Sequence, residues 1–180
     1  MVKLENKLSL NNNKIGILGG SFDPAHKGHL IISKEAKKRF GLKKIIWAIT
    51  KKNPFKKTSI LKLKKRISLC KKIIGLNTFI KVKFYEDIIK SNKTINLINY
   101  ISKNKSYEIY FIMGADNLIT FHKWYKWKLI SQKCNIVVFD RHGYKKKSLN
   151  STTYKKLNDK NLKFIEFNKV NISSSQLRKI

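Results

Sequence analysis

Cysteine, arginine and acidic side chains are all scarce in this 180-residue chain. Cys70 and Cys134 are the only cysteines, which excludes a disulfide framework and a cysteine-rich metal site. No apolar run approaches the roughly 18 residues that a membrane span needs; Ile45-Ile46-Trp47-Ala48-Ile49 is typical. The N-terminal residues, with Glu5 and Asn11-Asn12-Asn13, hold no hydrophobic segment of signal-peptide length. Together these absences predict a soluble, reduced, cytoplasmic protein with no membrane partner.

Asp and Glu number 10 against 41 Lys and Arg, for a formal net charge of +31. An acidic disordered chain is excluded, and 42% apolar content argues against disorder in general. The basic residues are 37 Lys and 4 Arg, and Lys, Ile and Asn together make 79 of the 180 residues. Proteins that read bases and phosphates favour the bidentate guanidinium, whereas the lysines here run along the whole chain. The composition reads as a lysine coat on an ordinary fold that attracts anions in general. No specific nucleic-acid partner is expected.

A chain of this length buries about 70% of its unfolded surface around one core. Residues 1–13 read as a flexible polar arm and 14–180 as one domain. Short apolar runs predict strands near 14–18, 45–49, 79–85, 107–113, 135–139 and 162–167. Helical spacing predicts helices over 28–40, 59–74, 94–103 and 116–132, with a short one opening at Ser173; 50–58 and 141–153 read as loops. Strands alternating with helices imply an α/β fold, a doubly wound, Rossmann-like parallel sheet covered on both faces. Ligands of such folds sit outside the carboxyl ends of the strands, which places Gly19-Gly20, Gly114-Ala115-Asp116 and Arg141 on one rim.

The densest signal is Gly19-Gly20-Ser21-Phe22-Asp23-Pro24-Ala25-His26-Lys27-Gly28-His29. A strand ends, two glycines allow close backbone approach, and a helix begins whose free N–H groups favour a phosphate. Two histidines three residues apart can donate hydrogen bonds to one spot. A zinc pair is disfavoured, since only His122 and His142 remain as further histidines.

Gly19 to Leu30 resembles the signature of the nicotinate-nucleotide adenylyltransferases, members of the nucleotidyltransferase superfamily with a His-x-Gly-His motif. Further segments are similar to the same family: Asn53-Pro54-Phe55-Lys56, Glu86 with Thr94, Gly114-Ala115-Asp116-Asn117, Phe121-His122-Lys123-Trp124 with Trp127, and Asp140-Arg141-His142-Gly143. Ile172-Ser173-Ser174-Ser175-Gln176-Leu177-Arg178 resembles the superfamily's C-terminal serine–arginine motif. Phe55 stands where many members carry His, and Asn96 and Leu97 replace a common Asp and Thr.

The resemblance implies transfer of the adenylyl group of ATP to nicotinate mononucleotide, with release of pyrophosphate, in NAD biosynthesis. It implies an ATP site of Gly19, Gly20, Ser21, Phe22, His26, His29, Asp116, Ser174, Ser175 and Arg178, with His26 and His29 catalytic. The mononucleotide site would comprise Lys56, Thr94, Trp124, Tyr125 and Arg141. Mg²⁺ would arrive with ATP, because no cage of protein carboxylates is visible. Several residues have plainer readings: Trp124 as core packing, a role assigned instead to Trp127; Thr94 as a helix N-cap; Asp116 as a cap; Asp23 as a brace of the glycine loop. Cys70 reads as a small buried residue. Rival functions are an adenylyltransferase preferring nicotinamide mononucleotide, a pantetheine-phosphate adenylyltransferase, and a non-catalytic basic nucleic-acid binder.

Overall fold

Apolar runs too short to bury themselves pair side by side, and the computed structural model of the protein, which describes residues 13–51, 60–103, 107–157 and 161–166, shows them as one sheet. The strands are β1 Lys14–Gly20, β2 Lys44–Ile49, β3 Ile80–Phe84, β4 Glu108–Gly114, β5 Asn135–Phe139 and β6 Leu162–Ile165. Their order is β3-β2-β1-β4-β5-β6, and every neighbouring pair is parallel. Central strands are buried on both faces, whereas edge strand β3 alternates, with Ile80 buried and Lys81 and Lys83 exposed. The centre of β1 is tight. A methyl group on Gly16 would lie 2.9 Å from the Ile45 side chain and 3.0 Å from those of Leu42 and Ile112, so only glycine fits there.

Helices α1 (Lys27–Phe40) and α2 (Leu63–Ile74) cover one face, where Ala36 and Cys70 pack with Trp47 and Ile49. Burial pushes the Cys70 thiol up to about 12, consistent with a packing role. After a short α3 (Glu86–Ile89), the other face is covered by α4 (Thr94–Ser102), α5 (Ala115–Phe121), α6 (Trp127–Lys133) and, beyond α7 (Lys145–Leu149), α8 (Thr152–Leu157). Ile98, Leu118, Phe121, Ile130 and Leu157 form that layer. Each such fully buried side chain contributes about 1.5–3 kcal/mol.

Strand order reverses beside β1: the chain builds outward to β2 and β3, then returns to β4 on the other side. The carboxyl ends of β1 and β4 therefore diverge and leave a crevice. Among the described residues no helix is long and apolar enough to cross a membrane.

Several boundaries differ from the sequence reading. Gly19 and Gly20 belong to β1 itself. The second helix starts at Leu63 rather than 59, leaving Ile60 66% exposed ahead of it. The single helix expected over 116–132 is broken: Lys123 N–H bonds Thr120 O, Trp124 N–H bonds Phe121 O and Trp127 N–H bonds Trp124 O, while Lys126 takes a positive φ of 53°. These i−3 bonds replace the α-helical ladder and turn the chain. The expected loop 141–153 instead contains α7 and opens α8, where Ser151 Oγ accepts the Tyr154 N–H. Apart from Asn13, the expected N-terminal arm lies outside the described residues, as do 52–59 and the terminal serine–arginine segment.

Candidate active site

A cavity of about 580 Å³ opens at the ends of β1 and β4. It is of the size that holds small organic ligands. Gly19, Gly20, Ser21, Phe22, His26, His29, Thr94, Asp116, Trp124, Tyr125 and Arg141 all line it. Lys56, Ser174, Ser175 and Arg178, the remaining expected site residues, lie outside the described residues.

His26 is the N-cap of α1 and His29 its third residue, so one turn brings the rings to a centroid separation of 3.9 Å. His29 Nδ1 accepts the His26 backbone N–H at 3.2 Å. An accepting Nδ1 carries no proton, so the neutral ring bears its hydrogen on Nε2 and is a donor there. Phe22 lies 4.8 Å from the His29 ring and Trp47 5.9 Å from it. Trp47 is fixed in turn, its Nε1 donating to Ser33 Oγ at 2.9 Å while Ser33 donates to His29 O at 2.8 Å. Burial, the neighbouring His26 and Arg141 hold His29 well below the usual histidine range. Burial, then Arg141, lowers His26 from 6.5 to about 4. Both rings are therefore neutral at pH 7, and His26 Nδ1 has no hydrogen-bond partner among the described residues.

The sign of this shift has a consequence for stability. Between pH 6.5 and about 4 the unfolded chain binds a proton at His26 that the folded one refuses, so folding weakens as pH falls through that window. Melting temperatures measured from pH 7 down to pH 5 are expected to decline, and His26→Asn to flatten part of the decline. An equally steep fall in the variant contradicts the assignment.

Asp116, after β4, and Arg141, after the neighbouring β5, pair on the rim of the crevice, Arg141 Nη1 donating to Asp116 Oδ2 at 2.9 Å. The cap reading of Asp116 does not hold: it is the second residue of α5, whose N-cap is Gly114. A methyl group on Gly114 would lie 2.5 Å from Asp116 Oδ1, so glycine makes room for the carboxylate. That oxygen is buried and unpartnered among the described residues. Asp140 Oδ1 accepts the Arg141 N–H at 2.6 Å, fixing the turn that presents the guanidinium.

Thr94, Trp124 and Tyr125 line the same cavity. Thr94 is the first residue of α4, one position past the N-cap Lys93, and makes no cap bond. Trp124 sits in the turn between α5 and α6, braced edgewise by Phe111 at 6.0 Å and Phe121 at 5.3 Å. Its Nε1 has no partner among the described residues. Trp127 packs on Phe121 at 6.1 Å and does not line the cavity. Tyr125 is 54% exposed at the mouth.

Two further features shape the glycine loop. Its left-handed residue is Phe22, with φ 47°, held by stacking on Trp47 at 5.1 Å. Asp23 braces a distant segment, accepting the N–H groups of Ile60 at 2.8 Å and Leu61 at 3.0 Å. Sequence reasoning missed Arg66, which is only 1% exposed and donates to the Ser21 carbonyl. Glu86, noted only as a family-like position, lines the cavity and accepts the Lys51 N–H at 3.1 Å. Among the described residues no three His, Cys, Asp or Glu gather as a metal site.

Comparison with known proteins agrees with this architecture. Residues 17–180 match the cytidylyltransferase-like family. The chain is 70% identical over 180 residues, spanning all of both chains, to the "probable nicotinate-nucleotide adenylyltransferase" of Pelagibacter ubique. It is 38% identical over 140 residues to the protein of that name from Agrobacterium fabrum, covering 77% of this chain and 74% of that one. In fold it is similar to the Plasmodium falciparum nicotinic acid mononucleotide adenylyltransferase complexed with NaAD, with a TM-score of 0.74, 22% identity, and coverage of 93% of this chain and 83% of that one. The chain belongs to the cytidylyltransferase-like family and, within it, to the nicotinate-nucleotide adenylyltransferases.

Proposed function

We propose that this protein transfers the adenylyl group of ATP to the 5′-phosphate of nicotinate mononucleotide, forming deamido-NAD and pyrophosphate in NAD biosynthesis. The observation that carries this reading is the convergence of a neutral histidine pair, an Asp–Arg pair and a braced tryptophan on one cavity at the strand-order reversal. A phosphate oxygen of the mononucleotide forms a bond to the α-phosphorus of ATP, and the bond from that phosphorus to the oxygen bridging to the β-phosphate breaks. Such a reaction needs positioned anions and charge stabilisation more than covalent help.

His29 Nε2–H donates to the α-phosphate as charge builds, and His26 contacts the neighbouring phosphates. Gly19, Gly20, Ser21 and Phe22 bring backbone groups to the nucleotides, and Asp116 Oδ1 accepts from a ribose hydroxyl. Arg141, anchored by Asp116, takes the mononucleotide phosphate. Mg²⁺ enters bound to ATP as part of the substrate. Asp116 Oδ2 and Asp140 Oδ1 are engaged with Arg141, and Glu86 Oε1 with Lys51 N–H, which fits a site that receives its cation on the phosphates.

Trp124 stacks on the pyridine ring, and Thr94 with the backbone at Tyr125 receives the carboxylate. Loss of such a platform costs about 1–3 kcal/mol, so Trp124→Ala is expected to raise the KM for the mononucleotide about tenfold, with a smaller change in kcat. Steady-state kinetics at saturating ATP read this directly; an unchanged KM assigns the ring to packing.

The function is tested by incubating the protein with ATP, Mg²⁺ and either nicotinate or nicotinamide mononucleotide and measuring pyrophosphate. Faster release with the acid is expected. Equal rates reject the carboxylate recognition, and no release with either rejects the reading.

A further inference from the structure

Ser21 and Thr50 line the cavity, and backbone carbonyls at such positions repel anions as readily as N–H groups attract them. What turns those peptides is behind the wall. Arg66, on the first turn of α2, does not line the cavity. Its Nη1 donates to Ser21 O at 2.6 Å and Thr50 O at 2.7 Å, its Nη2 to Lys51 O at 2.8 Å, and its Nε to Leu61 O at 3.1 Å. One planar fork thus ties the end of β1, the end of β2 and the entry to α2. No carboxylate lies within ion-pairing distance among the described residues; the buried cation is satisfied by carbonyls alone.

Two peptide planes follow from this. A trans peptide points its C=O and N–H in opposite directions, so drawing the Ser21 carbonyl to Arg66 turns the Phe22 N–H away from it. The Thr50–Lys51 peptide is held at both ends, its carbonyl by Arg66 and its N–H by Glu86 Oε1. Thr50 N–H is itself bonded to Gly20 O at 2.9 Å, so the two strand ends move as a unit. The Ser21 carbonyl has its negative end on the guanidinium and leaves the positive Phe22 N–H end on the far side, which favours an anion there, while the Thr50 carbonyl is kept from facing one.

We propose that Arg66 is a positioning residue for nucleotide binding and adenylyl transfer, acting from behind the wall by turning the Ser21 and Thr50 carbonyls out of the phosphate site. This inference rests on the adenylyltransferase reading. A lysine at this position keeps the charge but lacks the fork that meets four carbonyls.

The test compares wild-type protein, Arg66→Lys, and Leu162→Ala, a destabilised control on β6 far from the cavity. All are assayed with Mg²⁺-ATP and nicotinate mononucleotide at a temperature where melting curves show each folded. If wild type is inactive, it is the function reading that fails. With wild type active, Arg66→Lys is expected to raise the ATP KM and lower kcat, each by between about tenfold and 10²-fold, while Leu162→Ala loses only melting temperature. Wild-type-like KM and kcat in folded Arg66→Lys overturn the proposal, because a purely structural arginine moves the melting curve alone. If Arg66→Lys does not fold, Arg66→Gln decides: it removes the charge but keeps an amide donor for part of the carbonyl set. A rise in ATP KM of about threefold or more is expected from the loss of even one charged hydrogen bond, and unchanged kinetics overturn the proposal.

Discussion

His29→Ala is expected to lower kcat by about 10²–10³-fold, the loss typical when one preorganised donor to transition-state charge is removed. The donor is specified by its own surroundings: Nδ1 is committed to the His26 N–H, which leaves the proton on Nε2. Burial, then the neighbouring His26 and Arg141, keep the ring neutral, so it can donate without being protonated. The KM values are expected to change much less, since the interaction strengthens only as charge develops. His29→Gln, which retains an amide donor, is expected to lie between the two. Rapid-quench measurement of the chemical step, with circular dichroism to confirm folding, checks this; wild-type turnover in folded His29→Ala removes the catalytic assignment.

Arg141→Ala carries the second large effect. Its guanidinium lines the cavity where the proposed reading seats the mononucleotide phosphate, and it pairs with Asp116 at 2.9 Å. Removing it leaves a bare carboxylate beside an anionic substrate. A charged hydrogen bond is worth about 1.5–3 kcal/mol, so the mononucleotide KM is expected to rise about 10- to 150-fold. Two readouts separate this from general damage. The Asp116→Asn/Arg141→Ala double variant removes the stranded charge and is expected to regain part of the affinity. Proton NMR titration of Arg141→Ala is expected to show His26 titrating above its wild-type position, because Arg141 is one of the groups holding it down. A mononucleotide KM unchanged by Arg141→Ala contradicts the phosphate role.

Legibility in the sequence followed the range of the forces involved. β1, β2, β4 and β5 are continuous apolar runs because both faces of a central parallel strand are covered, and such runs can be read without knowing what covers them. The rim of Gly19-Gly20, Gly114 and Arg141 follows from their places at the carboxyl ends of parallel strands. The turn at 122–126 was hidden because Leu118, Phe121, Trp124 and Trp127 keep a helix-like spacing although the backbone bonds have changed to i−3. α7 and α8 were hidden by polar composition, their ends being closed by serine hydroxyls.

Arg66 was hidden for another reason: it lies on the apolar face of α2, where helical spacing alone reads a charge as solvated. A usable signal was nevertheless present. With 37 Lys in the chain and only 4 Arg, an arginine marks a place where a fork-shaped donor is needed. The described arginines bear this out: Arg39 pairs with Glu35 at 2.6 Å, Arg141 with Asp116, and Arg66 spans three segments of backbone.

The most direct measurement is a crystal structure of the protein with deamido-NAD bound. The expected result has the dinucleotide spanning the crevice between β1 and β4, a phosphate oxygen within hydrogen-bonding distance of His29 Nε2 and the pyridine ring against Trp124. A dinucleotide seated elsewhere, or turned so that its phosphates lie away from the start of α1, contradicts it.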